Sequence, residues 1–205
     1  MEVKLIDHMG TDLSVVNAAR ISFGKRKEVF DESDEKLIKY LAKHNHFTPF
    51  CHNAVTFYVK VPIFVARQLA KHQVGLTINE ESRRYISNDP EFYTPPFWRG
   101  RSEDGAKQGS STAKTINYDI HRHNIQCLKM YENMLSEGIA PEMARMVLPQ
   151  NMFTSIYWSG SLYAFARVYR LRTEKTAQWE TQQVARMIGE ECEKLFPVSW
   201  RALTM

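Results

Sequence analysis

The run Lys71-His72-Gln73-Val74-Gly75-Leu76-Thr77-Ile78-Asn79-Glu80-Glu81-Ser82-Arg83-Arg84-Tyr85 sets cations, carboxylates, an imidazole and two amides around one short apolar patch, directly behind the strongly apolar PIFVARQLA. A solvated loop is one reading of it. A binding surface is the other, because a guanidinium's planar fork makes paired hydrogen bonds to phosphate and also suits the carbonyl-rich edge of a pyrimidine. Arg67, Arg145, Arg167, Arg170 and Arg172 fall where helical pattern or flanking apolar residues bring them near a core. Arginine is costly to desolvate without an anionic partner. Any one of them is explained by a structural carboxylate or by snorkelling. As a group, with Arg84 beside Ser82, they resemble a phosphate cradle.

Other chemistries have weaker signals. His44, His46 and His52 are the residue type that most often ligates metal, but two histidines two apart describe a helix end and its turn, and no acidic ligand stands at a recognisable spacing. No metal is expected. Glu80 and Glu81 are adjacent, so at most one faces a site. Ser82 lacks an activating histidine at a diagnostic spacing, and neither GxSxG nor SxxK is present. Absence of GxGxxG and GxxxxGK[ST] sets aside the Rossmann and P-loop modes of nucleotide binding.

The 205 residues, 43% of them hydrophobic, suit one domain with a sizeable core. Net charge is +4, spread along the chain, which permits an anionic ligand without demanding nucleic acid. Cys51, Cys127 and Cys192 show neither disulfide nor zinc spacing, which fits a reducing cytoplasm, and no apolar run reaches membrane-spanning length. The positioning elements follow from pattern. VKLIDH reads as a strand and DLSVVNAARISF as a helix with Asp12 or Ser14 near its cap; SDEKLIKYLAKHNH is a second helix starting at Ser33 or Asp34. HNAVTFYVKV is the best strand, and Pro62 leads into a helix through PIFVARQLAKHQ, interrupted at Gly75. SRRYIS reads as extended, and about 88–111 as a long mobile excursion. A long helix is expected over TINYDIHRHNIQCLKMYENMLSEG, then a short one in PEMARMVLP, a strand in MFTSIYWSGS, and helices in SLYAFARVYRLR and TAQWETQQVARMIGEECEKLF. Without regular βαβ alternation, the mixture reads as α+β, a single domain over 1–205 with a central mixed or antiparallel sheet flanked by helices.

The order RQ-x-x-K-H-x…NE-x-S-x-RY, entered from PIFVARQ, resembles the signature of the flavin-dependent thymidylate synthases, an Arg-His-Arg followed at a set distance by Ser. MGTDLSVVNAARISF, HNHFTPFCHNAVTFYVKVPIFVARQ, ARMVLP and LRTEKTAQWETQ agree in order over nearly the whole chain. The resemblance implies conversion of dUMP to dTMP, with 5,10-methylenetetrahydrofolate as carbon donor and reduced FAD, recharged by NADPH, as hydride source. It also implies a homotetramer with shared active sites. Carried over by position, Gln68, Lys71, Glu80, Ser82, Arg84, Arg145 and Arg172 match dUMP-binding positions, and Arg83 is counted with them. Arg84, Arg145 and Ser82 are implied to hold the phosphate, and Arg172, the one implied catalytic residue, to face the uracil carbonyls. Thr48, Lys71, His72, Gln73, Glu80, Ser161, Tyr163 and Arg167 match FAD-contacting positions, and His46 and Tyr85 lie where the flavin ring and folate meet. The chain departs from the pattern at Lys71-His72-Gln73, and its spacer to Ser82 is one residue longer. Arg83 or Arg167 is expected to supply the charge absent at Gln73.

Two rival readings use other features. A non-catalytic RNA- or nucleotide-binding module would exploit the pI of about 8.9 and the aromatic content. A metal-dependent hydrolase would use His44, His46 and His52. Cys51, Cys127 and Cys192 show no setting that would activate a thiol, which departs from the cysteine nucleophile of classical thymidylate synthases and is consistent with a flavin that supplies the hydride itself.

Overall fold

The computed structural model describes residues 1–102 and 109–205. Its main sheet is fully antiparallel, in the order β1-β2-β6-β3, with β1 at Glu2–Met9, β2 at Ala54–Pro62, β3 at Leu76–Glu80 and β6 at Phe153–Ser161. Alternation dictates its two faces. Val55, Phe57, Val59 and Val61 of β2 are buried on one side, and the register sets Phe57 opposite Trp158 and Val59 opposite Ile156. Helices cover that side: α1 (Asp12–Arg20), α2 (Glu32–Lys43), α6 (Leu162–Arg172), α7 (Trp179–Leu195) and α8 (Pro197–Thr204). Phe165 of α6 meets Phe57 and Trp158 edge-on, each at 5.2 Å between ring centroids. On the other side Thr56 bonds Ser159 at 2.9 Å, the Tyr58 hydroxyl donates to Ser155 at 3.0 Å, and Tyr157 is exposed. That face is polar, with Thr56, Tyr58, Ser155 and Ser159 half-buried and Tyr157 exposed.

The remaining elements are α3 (Ile63–Leu69), β4 (Trp98–Arg101), β5 (Ser110–Ile116), α4 (His121–Ser136) and α5 (Pro141–Ala144). A second small core gathers Tyr131, Ala144, Leu148 and Met152 against α3 and α4.

Several boundaries differ from the sequence reading. α3 stops at Leu69, because Lys71 and His72 close back on Gln68 and Leu69 in tighter i to i−3 bonds before Gly75 takes φ +76° and turns the chain into β3. The extended segment is LTINE rather than SRRYIS: Leu76 and Ile78 pair against Gly160 and Trp158, while the Ser82 carbonyl closes a turn onto Tyr85 and Ile86. The excursion over 88–111 contains an isolated bridge from Phe92 to Met152, β4 and the first residues of β5, which pairs with β4 as an antiparallel ribbon; its residues 103–108 lie outside the described residues. α4 begins at His121, not Thr115, because the preceding residues pair in β5, and the His121 amide is held by the Asp119 carboxylate at 2.8 Å. Asp31, ahead of Ser33 and Asp34, caps α2, and Thr11 caps α1, with its amide donating to Ser14 Oγ at 3.0 Å. α8 was not expected. Its first amides, Val198 and Ser199, donate to the Asp12 carboxylate at 2.9 and 2.8 Å, a cap from the opposite end of the chain.

Candidate active site

β3 ends where the Glu81 amide reaches the Ser155 carbonyl, and the chain turns sharply at Ser82. Three N–H groups converge on the Ser82 hydroxyl: Arg84 Nε at 3.2 Å, the Arg84 amide at 3.3 Å and Arg145 Nη1 at 3.3 Å. Arg145 is delivered by α5, which Pro141 starts and buried Ala144 pins to the small core. One hydroxyl has two lone pairs, so these donors exceed what it can accept, and the long distances show the sharing. Among the described residues neither guanidinium has a carboxylate partner. The Arg84 guanidinium lies over the Tyr85 ring, 4.9 Å from its centroid, and Tyr85 is exposed. Arg145 lines a cavity of about 350 Å³ with Arg67, Glu80 and Arg83. Glu80 accepts from Thr154 Oγ1 at 2.7 Å. Arg83 is buried and donates to the Asn88 carbonyl, leaving its Nε without a partner.

Gly75 and Gly160 create a second cluster. A Cβ on Gly160 would meet the Gly75 carbonyl at 2.5 Å, so only glycine lets the loop after α3 cross the end of β6. The loop then sets His72 on the last turn of α6, where Arg172 Nε donates to His72 Nε2 at 2.8 Å. Burial, and then the charges of Arg172 and Arg167, lower the imidazole from 6.5 to about 4. His72 is thus a neutral acceptor between cations. Lys71 and Gln73 flank it and are exposed. Arg167, Arg172 and Lys71 have no ion pair among the described residues.

Sequence reasoning missed the polar network beside this cluster. Glu180, 2% exposed, takes both bonds of a paired contact from Arg99 Nη2 at 2.7 and 2.8 Å, and a third from the Tyr93 hydroxyl at 3.2 Å. Burial first, and the carboxylate second, hold the Tyr93 hydroxyl protonated well above the ordinary tyrosine range. Gln178 donates to Glu180 at 3.1 Å and accepts from Gln68, whose carbonyl accepts from Thr181 at 3.1 Å. Gln68, Arg172 and Gln178 line a cavity of about 440 Å³. The available signal was Glu180 itself, a carboxylate on the apolar side of α7.

The remaining predicted residues gather elsewhere. Ser161 caps α6, accepting from the Ala164 amide at 3.2 Å, and Tyr163 stacks on Phe47 at 5.2 Å. His46 and Thr48 line a largely apolar cavity of about 790 Å³ with Phe23, Leu37 and Tyr40. His46 stands 6.0 Å from the Tyr40 ring. In one chain, therefore, Ser82, Arg84 and Arg145 are brought together, as are His72 and Arg172, while the His46 cavity shares no residue with the other two.

Comparison with known proteins gives this geometry a lineage. The family model described as thymidylate synthase complementing protein matches residues 4–198. Flavin-dependent thymidylate synthases of Thermus thermophilus and Thermosipho africanus are each 38% identical, over 98% and 95% of this chain and 74% and 88% of their own lengths. A crystal structure of a UMP/dUMP methylase, PolB from Streptomyces cacaoi bound with 5-Br dUMP, superposes with a TM-score of 0.87 at 31% identity, covering 99% of this chain and 94% of that one. The chain belongs to the flavin-dependent thymidylate synthase family.

Proposed function

We propose that the protein is a flavin-dependent thymidylate synthase that methylates dUMP to dTMP, using 5,10-methylenetetrahydrofolate and NADPH. The convergence of Arg84 and Arg145 on Ser82 Oγ carries this reading: it is a donor set in excess of its acceptor, built for an oxyanion. In it Arg84, Arg145, Ser82 and the neighbouring amides hold the nucleotide phosphate, with Arg83 and Glu80 on the same cavity wall. Gln68 and Lys71 meet the nucleoside. Arg172 faces the uracil carbonyls and stabilises negative charge that develops on the base, acting in a site where a fixed donor needs no reorganisation.

The unpaired cations around neutral His72 fit a dinucleotide with two phosphates. Thr48, Lys71, His72, Gln73, Glu80, Ser161, Tyr163 and Arg167 would hold FAD, and Arg167 supplies the charge absent at Gln73. Bound FAD, once reduced, supplies the hydride that completes the methyl group. The protein's own work is to orient the reactants and shield them from water, with His46 and Tyr85 beside the folate. Because Arg145, Arg172 and His46 line three separate cavities in one chain, we assign complete sites to contacts between subunits of a homotetramer. Among the described residues no helix is long and apolar enough to cross a membrane. Three free thiols suit a cytoplasmic enzyme.

The test is an absorption spectrum during FAD titration. Bound flavin whose spectrum shifts on adding dUMP supports the reading. Protein that neither retains FAD nor responds to dUMP refutes it.

A further inference from the structure

The Glu180 network has a direction, and the direction has a consequence for the base. A carboxylate in an ion pair only accepts hydrogen bonds, and both Glu180 oxygens accept from Arg99 Nη2, at 2.7 and 2.8 Å. Gln178 must therefore turn its NH₂ group toward Glu180, which leaves its carbonyl for Gln68. Gln68 must in turn offer NH₂ to Gln178, and its carbonyl takes the Thr181 hydroxyl proton. Each amide has only one orientation consistent with the carboxylate at the end of the chain. Rotating a glutamine amide by half a turn exchanges donor for acceptor with almost no change of shape, so packing alone would not choose between the two.

Gln68 still has one amide hydrogen and one carbonyl lone pair uncommitted among the described residues, and it lines the Arg172 cavity. That donor–acceptor pair complements uracil, whose ring N–H lies beside a carbonyl. The flipped amide would complement cytosine, where a ring acceptor lies beside an amino group. Resting on the assignment of this cavity to the pyrimidine, we propose that Glu180, fixed by Arg99, is a positioning residue that sets the polarity of Gln68 through Gln178 and so makes the enzyme choose uracil over cytosine nucleotides. Arg99 enters from β4, outside the helices that build the cavity, so the β4–β5 ribbon takes part in substrate choice. Its guanidinium is further held against Trp179, 5.3 Å from that ring centroid, at the first residue of α7.

The experiment is calorimetric titration of the FAD-loaded protein with dUMP and with dCMP. The parent decides the functional reading: it must bind dUMP in preference to dCMP, and binding of neither nucleotide refutes that reading whatever the variants do. Glu180→Gln replaces an acceptor-only group by one that can also donate; a discrimination built on hydrogen-bond polarity should then fall about tenfold or more. Glu180→Asp keeps the acceptor-only character and should retain the parent's ratio even where both affinities drop, a pattern that general loosening would not produce. Gln178→Leu cuts the relay while leaving Glu180 paired with Arg99, and it should lose discrimination as Glu180→Gln does, providing the test should the latter not fold. A parent that selects dUMP, with folded Glu180→Gln or Gln178→Leu selecting it equally well, overturns the proposal and leaves the function standing.

Discussion

Ser82 presents one hydroxyl to three N–H groups, and that imbalance makes Arg84 and Arg145 the side chains whose removal should be felt first. Each supplies a charge-assisted bond to the proposed phosphate, so Arg84→Ala or Arg145→Ala should weaken dUMP binding by about 1.5–3 kcal/mol, read as a ten- to hundredfold rise in Kd. An unchanged Kd in both variants removes them from the cradle. His72 makes a prediction about acid. Its folded-state value of about 4 lies below the ordinary 6.5, so the unfolded chain binds the extra proton first. Stability from this group is complete above about pH 6.5 and is lost as the pH falls through about 4. His72→Gln keeps an acceptor for Arg172 and should flatten the pH dependence of the urea midpoint across that window; an identical profile in parent and variant contradicts the assignment. Residues of this kind were legible in the sequence where a cation stood out against an apolar helical pattern, as at Arg145 and Arg172. Arg99 and Glu180 were not, because the pair joins positions 81 residues apart and neither partner marks the other locally.

Two glycines decide how the elements meet. The loop that carries His72 crosses β6 at Gly160, where a methyl group would lie 2.4 Å from Leu76 Cδ2 and 2.5 Å from the Gly75 carbonyl. The second clash is with backbone and cannot be relieved by a rotamer change. Gly160→Ala should therefore cost about 1–3 kcal/mol, visible as a lower urea midpoint at unchanged slope, and should also loosen FAD retention by shifting Lys71-His72-Gln73. A midpoint equal to the parent's would show that the crossing has slack. At this scale the strongly alternating strands β2 and β6 and the helices α6 and α7 could be read directly from their periods. β3 could not: its five residues sit among polar neighbours, and only pairing with Thr77–Ser159 register along β6 makes LTINE a strand. α8 was hidden for a similar reason, since its cap is the carboxylate of Asp12, 187 residues from Ser199. The β4–β5 ribbon lay in a stretch whose Pro, Gly and Ser content resembles a plain loop.

The molecule as a whole sets Arg145, Arg172 and His46 in three cavities with no residue in common, and none of the three is lined by cysteine. Cys192 is buried, and burial first, with nearby Glu191 second, drives its thiol far above the ordinary range, while Cys51 is exposed and Cys127 sits 3.5 Å from His123 on α4. The Cys192 thiol is therefore not prepared for attack on a pyrimidine. Replacing all three by Ala should leave dTMP formation in protein that folds; a folded, ligand-binding variant without product would require a thiol mechanism. In the proposed reaction a flavin, rather than the folate, supplies the reducing hydride to the new methyl group. The direct measurement is chromatography of the products formed by FAD-loaded protein from dUMP, 5,10-methylenetetrahydrofolate and NADPH. The expected products are dTMP and tetrahydrofolate, formed only when FAD is bound. Absence of dTMP, or dTMP formed without FAD and accompanied by equal dihydrofolate, would contradict it.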